Sequence, residues 1–377
     1  MKIAYFSNYL NHLQTSLCDE LYNLCGNNFT FISTEKLPSE RLNSGYEDCS
    51  HYAYNLNSFE TQINFNKALK LGIESDIVII GAASEVFIKD RLKQNKITFR
   101  YSERILKRGE WMLFSPNMLI SSIRHHTIYR KNNLYMLCAS AFASKDFNLI
   151  FAYPNKKYKW GYFTEVKELN IEEVLINKPV NKIEIVWTAR FIDWKHPELA
   201  VKLAYQLKRK GYNFHIKMIG SGELVDEIKK LILKLDVSDC ISLLGSMSNL
   251  DVRNCMLNSN IFILTSDRNE GWGVVLNEAM SCGCSIVAAN NIGSVPYLIE
   301  DEKNGLIFKS RNLSSLMEKT EKLINNNELR NTFSKNSYFT IKNEWSPKIA
   351  ANNFLILAQN ILFNNKFEIT NGPCSKA

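Results

Sequence analysis

Two glutamates eight residues apart lie on either side of a glycine-containing turn in the second half of the sequence. Within the segment Thr265 to Met280, Glu270 and Glu278 flank Gly271 and Gly273. The segment follows an apolar run that predicts a buried strand, and its later residues predict a helix. Glycine lets the backbone approach a ligand closely, and the free amides of a first helical turn attract an anion. The pattern therefore predicts a phosphate-binding turn.

The spacing of the two carboxylates suits different parts of one ligand. On an ideal helix, eight residues rise about 12 Å and rotate by about 80°. One carboxylate could then lie beside a sugar and the other beside ribose hydroxyls. A second interpretation stays open, in which Glu270 only complements a helix dipole and Glu278 is a surface residue.

Two cations follow an earlier predicted strand, Ile183 to Thr188. Arg190 and Lys195 lie in the loop before Pro197. Ligands of open α/β sheets bind at the carboxyl ends of parallel strands. Two cations at such an end could neutralise a departing diphosphate without a metal ion. A solvated pair of loop residues is the alternative.

Two further glycine segments follow predicted strands. Gly220-Ser221-Gly222 is a G-x-G without the remaining glycine of a dinucleotide-binding turn, and it also fits an ordinary strand-to-helix connection. Gly293-Ser294-Val295-Pro296 and Asn304-Gly305 are typical of turns. Taken alone, these segments predict no chemistry.

The elements that position these residues alternate between strand and helix in both halves of the chain. This rhythm predicts an α/β fold with two doubly wound parallel sheets. We expect a first domain at 1–165, a linker at 166–180 and a second domain at 181–345. We expect the helix 346–366 to pack back on the first domain and residues 370–377 to be frayed.

Together these motifs resemble the retaining family 4 glycosyltransferases. The resemblance runs from about Ile183 to Phe308 and includes Leu244-Gly245-Ser246 besides the motifs already described. Its most specific part is the E-x7-E element from Glu270 to Glu278. It implies the GT-B fold, with two Rossmann-like domains facing a central cleft, the donor site in the second and the acceptor site in the first.

The resemblance also implies roles for individual residues. It places Arg190 and Lys195 at the donor diphosphate and Glu270 at the transferred sugar, as the catalytic set. It places Glu278 at the ribose and the backbone from Gly245 to Met247 at the base. The remaining donor-binding residues that it implies are Gly220, Gly222, Gly271, Trp272, Gly273, Val274 and Val275.

The first half of the chain matches less specifically. Tyr101-Ser102-Glu103-Arg104 and the segment Tyr158 to Phe163 look like signatures of bacterial enzymes that build surface polysaccharides. Asn11, His12, Glu103 and Arg104 are the acceptor-side candidates. The loop after the first strand lacks the glycines that many family members have there, and Glu103-Arg104 occupies the place where many of them have a histidine after a later strand.

Composition excludes several classes of protein. With 45% hydrophobic and 22% charged residues, the chain is typical of soluble globular proteins. No export signal opens it and no apolar stretch reaches the roughly 18 residues of a membrane helix. We therefore expect its nine scattered cysteines to be reduced thiols in a cytoplasmic protein. No nucleic-acid-binding signature is present.

One segment is strongly basic. From Lys89 to Lys131 there are eleven cations and three carboxylates, an excess as large as the net charge of +8 of the whole chain. Interleaved aromatic residues suit an anionic lipid surface. We expect peripheral contact of 89–131 with the inner face of the cell membrane, although a solvated face is also consistent.

The sequence therefore predicts a retaining glycosyltransferase that needs neither metal nor cofactor. Its partners would be a nucleotide diphosphate sugar, most simply a UDP-sugar, and a glycan or lipid-linked acceptor of bacterial surface-polysaccharide synthesis. Two alternatives remain: a nucleotide-sugar epimerase, which would convert donor without an acceptor, and a nucleotide-sugar-binding protein without activity. The donor sugar, acceptor, linkage and oligomeric state are not specified.

Overall fold

The chain forms two compact units, each built on one parallel sheet. The structure is a computed structural model that describes residues 1–40, 47–365 and 368–377. One unit combines Met1–Glu165 with Trp345–Ala377, and the other is Val166–Glu344. The α/β fold class predicted from the sequence is confirmed.

The first unit contains a seven-stranded sheet in the order β3-β2-β1-β4-β5-β6-β7, and every neighbouring pair is parallel. Its central strands β1 and β4 are buried along their whole length, because helices cover both faces of a parallel sheet. The strands are β1 Ile3–Ser7, β2 Phe29–Ser33, β3 Asn55–Asn57, β4 Ile77–Ile80, β5 Thr98–Ser102, β6 Leu134–Cys138 and β7 Lys157–Lys159.

The second unit contains a six-stranded parallel sheet in the order β10-β9-β8-β11-β12-β13. The order reverses between β8 and β11, and this is the point where ligands bind in such sheets. The strands are β8 Ile183–Thr188, β9 Phe214–Ile219, β10 Ile241–Gly245, β11 Ile261–Leu264, β12 Ser285–Ala289 and β13 Leu306–Phe308.

Local signals fix where many of the helices begin. Side chains of Asn11, Thr61, Ser248, Asn312 and Ser346 each accept a hydrogen bond from a first-turn amide. The helices are α1 His12–Cys25, α2 Gln62–Glu74, α3 Lys89–Lys93, α4 Pro116–His125, α5 Ala143–Leu149, α6 Ile171–Ile176, α7 Pro197–Arg209, α8 Val225–Lys234, α9 Asn249–Leu257, α10 Val275–Ser281, α11 Val295–Leu298, α12 Leu313–Asn325, α13 Asn327–Asn343 and α14 Pro347–Phe363.

The last helix, α14, belongs to the first unit, where it packs against α1. The ring of its Phe354 lies 5.1 Å from that of Phe99 on β5 and 5.9 Å from that of Trp160. The helix ends at Phe363, so it is shorter than the expected 346–366, and residue 366 lies outside the described residues.

The prediction of frayed residues 370–377 is wrong. The tail pairs antiparallel with β7, the edge strand of the first sheet. Cys374 donates its N–H to the carbonyl of Lys159 (2.7 Å), and Lys159 donates in return to the carbonyl of Ser375 (2.8 Å). Cys374 and Ser375 are each only 2% exposed. The physical reason is that an edge strand has unpaired peptide groups, which the tail satisfies.

The expected linker at 166–180 is also different in the structure. It lies in the second unit and contains helix α6. Ile171 and Leu175 of this helix pack against Tyr338 of α13. Lys178 is buried and donates hydrogen bonds to the carbonyls of Ser259 (2.7 Å) and Gly283. The polar composition of this segment suggested an exposed linker. The prediction failed because a polar residue such as Lys178 finds its hydrogen-bond partners inside the fold.

Arg91 does not contribute to the exposed basic face expected for 89–131. It is fully buried beneath α2, where its guanidinium donates to the carbonyls of Ser75 (2.6 Å) and Asp76 (2.8 Å) and to the hydroxyl of Thr98 (3.1 Å). Burial lowers the pKa of Arg91 to about 10. This side chain therefore satisfies peptide carbonyls at the end of α2.

We predict that Arg91→Ala lowers the free energy of unfolding by roughly 3 kcal/mol, because several buried carbonyls lose their donor. The measurement is urea unfolding followed by circular dichroism. Lys93→Ala, which removes an exposed cation from the same helix, is the matched control and should change stability by less than about 0.5 kcal/mol. Equal effects of the two substitutions would contradict the assignment.

Candidate active site

The candidate donor residues lie in loops at one edge of the second sheet. All its strands run parallel, so their carboxyl ends meet at this edge. Strand β10 ends at Gly245, and the loops after β9, β8 and β11 contain Gly220, Arg190 and Glu270. Segments distant in sequence are therefore neighbours here because of strand order.

Lys195 and Glu270 form the central contact of this edge. The Nζ atom of Lys195 donates to Oε2 of Glu270, and each side chain is only 11% exposed. Lys195 ends a short 3₁₀ turn, Asp193–Lys195, and Glu270 follows β11. An ion pair with little access to water fixes the two side chains relative to each other.

Trp194 links the two candidate cations. Its ring centroid lies 4.4 Å from Nζ of Lys195 and 5.8 Å from the guanidinium carbon of Arg190. The electron-rich face of an indole attracts cations, which limits where they can move. Arg190 itself is exposed, so its guanidinium remains accessible to a ligand. Trp194 was not predicted as a site residue, although its position within the Arg190-to-Lys195 loop was the available signal.

Hydrogen bonds join the loop after β8 to the loop after β11. The hydroxyl of Thr265 donates to the carbonyl of Lys195 (2.7 Å) and accepts from the indole N–H of Trp187 (2.8 Å). The N–H of Asp267 donates to the carbonyl of Trp194 (2.9 Å). These buried contacts hold the backbone beneath Lys195 and Glu270 in one arrangement.

The turn after Glu270 presents backbone N–H groups. Gly273 has a φ of 87°, and a Cβ there would lie 3.2 Å from the side chain of Ile292. Helix α10 begins at Val275, two residues later than the Gly273 start expected from the sequence. Within the described part of the chain, the N–H groups of Gly273, Val274 and Val275 have no hydrogen-bond partner. They can therefore donate to a ligand.

Glu278 lies on α10, one turn beyond these amides. It is partly buried, and burial raises the pKa of its carboxyl to about 7. Nearby, the indole N–H of Trp272 donates to the side-chain carbonyl of Asn277 (2.9 Å), so the buried Trp272 ring stabilises the turn. Glu278 thus carries a carboxylate whose charge is sensitive to pH near neutrality.

The predicted glycines are needed for close backbone approach. A Cβ at Gly220 would lie 2.0 Å from the carbonyl oxygen of Ala189, and one at Gly222 would lie 2.5 Å from that of Phe191. Gly245 has a φ of 69° and accepts a hydrogen bond from the N–H of Gly220 (2.8 Å). Met247 follows in the loop after β10 and is partly buried. These residues define the β9 and β10 side of the edge.

The acceptor-side candidates lie at the carboxyl ends of β1 and β5 in the first unit. Asn11 caps α1 and bonds to the side chain of Gln14 (3.2 Å), which in turn donates to Tyr101 (3.4 Å). His12 is the first residue of α1, and burial lowers its pKa. These hydrogen bonds connect the loop after β1 to β5. Asn11 therefore has a structural role as the cap of α1.

Glu103 and Arg104 have separate partners. Glu103 accepts from Lys107 (2.5 Å) and from the hydroxyl of Tyr162 (3.3 Å). Arg104 forms a nearly buried ion pair with Asp146 (3.2 Å), so its guanidinium connects the β5 loop to α5. The ion pair with Asp146 gives Arg104 a structural role, and its proposed contact with an acceptor stays a prediction.

An exposed apolar surface lies within the basic segment. Between residues 111 and 128, six large apolar side chains are exposed, and we call this group the apolar ridge. Its members are Trp111, Phe114, Leu119, Ile120, Ile123 and Ile128. The same stretch of sequence carries four cations that form no ion pair among the described residues: Arg108, Arg124, Arg130 and Lys131. In the described ranges, no helix has the length and hydrophobicity needed to cross a membrane.

Comparisons with known proteins agree with this geometry. The family described as glycosyl transferases group 1 matches residues 171–339. An amylovoran biosynthesis glycosyltransferase of Erwinia amylovora is 30% identical over 33% of this chain and 31% of its own length. An N-acetylgalactosamine-N,N'-diacetylbacillosaminyl-diphospho-undecaprenol 4-alpha-N-acetylgalactosaminyltransferase of Campylobacter jejuni is 23% identical over 70% of each chain.

Three other curated relatives align over only 36–40% of their own length, so the chain spans well under half of them. Among solved structures, Anabaena HepE in complex with UDP superposes with a TM-score of 0.72 at 15% identity, covering 96% of this chain and 100% of that one. This likeness shows the fold, which is that of the GT-B glycosyltransferases. The matched residues contain the Lys195–Glu270 contact and the turn after it, so this part of the chain is similar to the glycosyl transferases group 1 family.

Proposed function

We propose that this protein is a glycosyltransferase of bacterial polysaccharide biosynthesis. It would transfer a sugar from a nucleotide diphosphate sugar to a hydroxyl of a glycan or lipid-linked glycan. The observation that carries the proposal is the Lys195–Glu270 contact, with Arg190 near the same Trp194 ring as Lys195, at the carboxyl edge of the second sheet. The family match and the names of the relatives support it.

The donor diphosphate is the ligand that this edge fits best. Arg190 and Lys195 supply two positive charges, and the amides of Gly273 to Val275 supply donors. Oriented donors of this kind stabilise the negative charge that develops on a departing diphosphate. We propose that they act without a metal ion and without a cofactor.

The rest of the donor would extend along the same edge. Glu278 would accept hydrogen bonds from the ribose hydroxyls, and the backbone from Gly245 to Met247 would contact the base. Because Gly220 and Gly222 have no side chains, the loops after β8 and β9 pack closely together, which would leave room for the nucleotide above them. We propose a uracil base, since the superposed Anabaena protein was crystallised in complex with UDP.

Glu270 would orient the transferred sugar through its hydroxyl groups. Lys195 already neutralises this carboxylate in a nearly dehydrated contact, which weakens it as a nucleophile. We therefore assign Glu270 a positioning and charge-stabilising role. The anomeric carbon would break its bond to the diphosphate oxygen and bond to the acceptor oxygen with retention of configuration, while the acceptor proton passes to the departing phosphate.

The acceptor would bind the first unit, where His12 and Glu103 are the candidates that keep partial exposure. A lipid-linked acceptor agrees with the name of the Campylobacter relative, which includes a diphospho-undecaprenol carrier. The apolar ridge and its unpaired cations suit the surface in which such a carrier lies, because apolar side chains enter the interface and cations bind anionic headgroups. We propose peripheral contact with that surface.

We predict that Arg190→Ala combined with Lys195→Ala lowers kcat for sugar transfer at least about a hundredfold, since both donors to the leaving group are lost. Transfer is measured as labelled sugar in product, with nucleotide sugars and a membrane extract as acceptor source. Lys202→Ala combined with Arg209→Ala, which removes one lysine and one arginine from the neighbouring helix α7, is the matched control. Near-normal turnover by the site variant would reject the proposed site.

We predict that vesicles containing anionic lipid carry the protein upward in a flotation gradient, and that salt releases it. Phe114→Ser with Ile120→Ser should abolish flotation by removing two members of the apolar ridge. Phe59→Ser with Ile63→Ser removes the same residue types from another exposed part of the first unit and should have no effect. Flotation that is independent of lipid charge, or equal in both variants, would contradict the proposed surface.

A further inference from the structure

Two non-glycine residues with left-handed backbone conformation touch each other beside the candidate active site. His196 has a φ of 50° and Arg311 a φ of 62°. Residues with a Cβ adopt this conformation at an energetic cost, and glycine does so freely. Such strain persists where the surrounding structure imposes it, often at functional sites. The contacts of these two side chains indicate what maintains it.

Arg311 donates from Nε to Nε2 of His196 at 2.9 Å. Its terminal nitrogen lies 3.5 Å from Oδ2 of Asp267, which is also 3.4 Å from the same imidazole nitrogen. Since Nε2 accepts from Arg311, the imidazole proton lies on Nδ1, which faces the carboxylate of Glu198 at 3.0 Å. His196 and Asp267 are nearly buried, and the side chain of Arg311 is 60% exposed.

Both partners of Arg311 are directly connected to the central ion pair. His196 directly follows Lys195 and is the C-terminal cap of its 3₁₀ turn. Asp267 folds the turn that leads to Glu270, because its carbonyl accepts the N–H of Glu270 (3.0 Å) and its carboxylate accepts the N–H of Asn269 (2.9 Å). A displacement of His196 or Asp267 would therefore move Lys195 or Glu270.

We propose that Arg311, His196 and Asp267 are positioning residues that hold Lys195 against Glu270 in the geometry needed for transfer. The inference rests on the proposed glycosyltransferase function. It accounts for an arginine at a backbone position where glycine would be unstrained: the guanidinium joins the loop after β13 to the two loops that carry the ion pair. Arg311 would act through His196 and Asp267 and would not touch the substrate.

The backbone strain makes Arg311→Gly an informative test. Glycine relieves the left-handed conformation and removes the guanidinium. We expect an unfolding midpoint at or above that of the wild type, because an ion pair with an exposed arginine adds little stability. We expect kcat to fall about tenfold, since small misplacements of catalytic groups are costly, with the Kd for UDP changed by less than about threefold.

Asp236→Gly is the matched control. Asp236 also has a left-handed backbone, with a φ of 51°, and its exposed carboxylate pairs with Lys208 of α7. This substitution relieves the same kind of strain and should leave kcat unchanged. Ethylguanidinium at low millimolar concentration should restore part of the turnover of the Arg311→Gly variant and none of any loss of thermal stability.

The outcomes separate this inference from the proposed function. A wild-type protein that neither binds UDP nor transfers sugar from any nucleotide sugar overturns both. A wild-type protein that is active, together with an Arg311→Gly variant of equal kcat, overturns the positioning role alone. If the variant unfolds more easily and ethylguanidinium does not restore turnover, the loss is one of folding and the positioning role is likewise rejected.

Discussion

The contact between the Lys195 ammonium and the Glu270 carboxylate is the interaction on which the candidate site depends. Both side chains have little access to water, so neither charge would be stable there without the other. Removing one partner leaves an uncompensated charge, whereas under the proposed function an incoming diphosphate or sugar hydroxyl would offer a replacement partner. The pair therefore keeps the unliganded site charged and organised, and it leaves each group able to exchange partners when a ligand binds.

The parallel sheet makes this contact possible. Residues 195 and 270 are 75 positions apart, and they meet because β8 and β11 are neighbours whose carboxyl ends face the same edge. The loops can approach closely because Gly220 and Gly222 lack side chains where a Cβ would overlap the backbone after β8. Thr265 and Asp267 then tie the two loops together through backbone carbonyls. The Lys195–Glu270 ion pair therefore depends both on the strand order and on the two glycines.

Much of this could be predicted from sequence, for identifiable reasons. Buried strands such as Ile77–Ile80 are continuous apolar runs, which indicate a parallel sheet covered on both faces. The E-x7-E spacing and the Arg190…Lys195 pair could be recognised through their resemblance to family 4 glycosyltransferases, whereas chemistry alone left structural roles equally open for them. The sequence alone left open whether these residues share a site, because local sequence patterns do not determine the order of strands in the sheet.

Other features could not be predicted, because they depend on partners far away in sequence. The sequence suggests an exposed cation at Arg91, but its guanidinium donates to the carbonyls of Ser75 and Asp76, just after α2, which only the fold brings near. The C-terminal tail has few apolar residues and is ordered by peptide groups of an open edge strand. The contact between Arg311 and His196 gives no sequence signal at all, since neither a left-handed backbone nor a 115-residue separation leaves a pattern.

The central claim is that the edge of the second sheet binds a pyrophosphate without a metal ion. The most direct measurement is thermal unfolding of the protein with UMP and with UDP, both in the presence of EDTA. The account predicts that UDP raises the unfolding midpoint well above the value with UMP, because a ligand at a hundred times its Kd adds about 2.7 kcal/mol of stability. Equal midpoints with the two nucleotides, or a UDP effect that disappears with EDTA and returns with Mg²⁺, would contradict it.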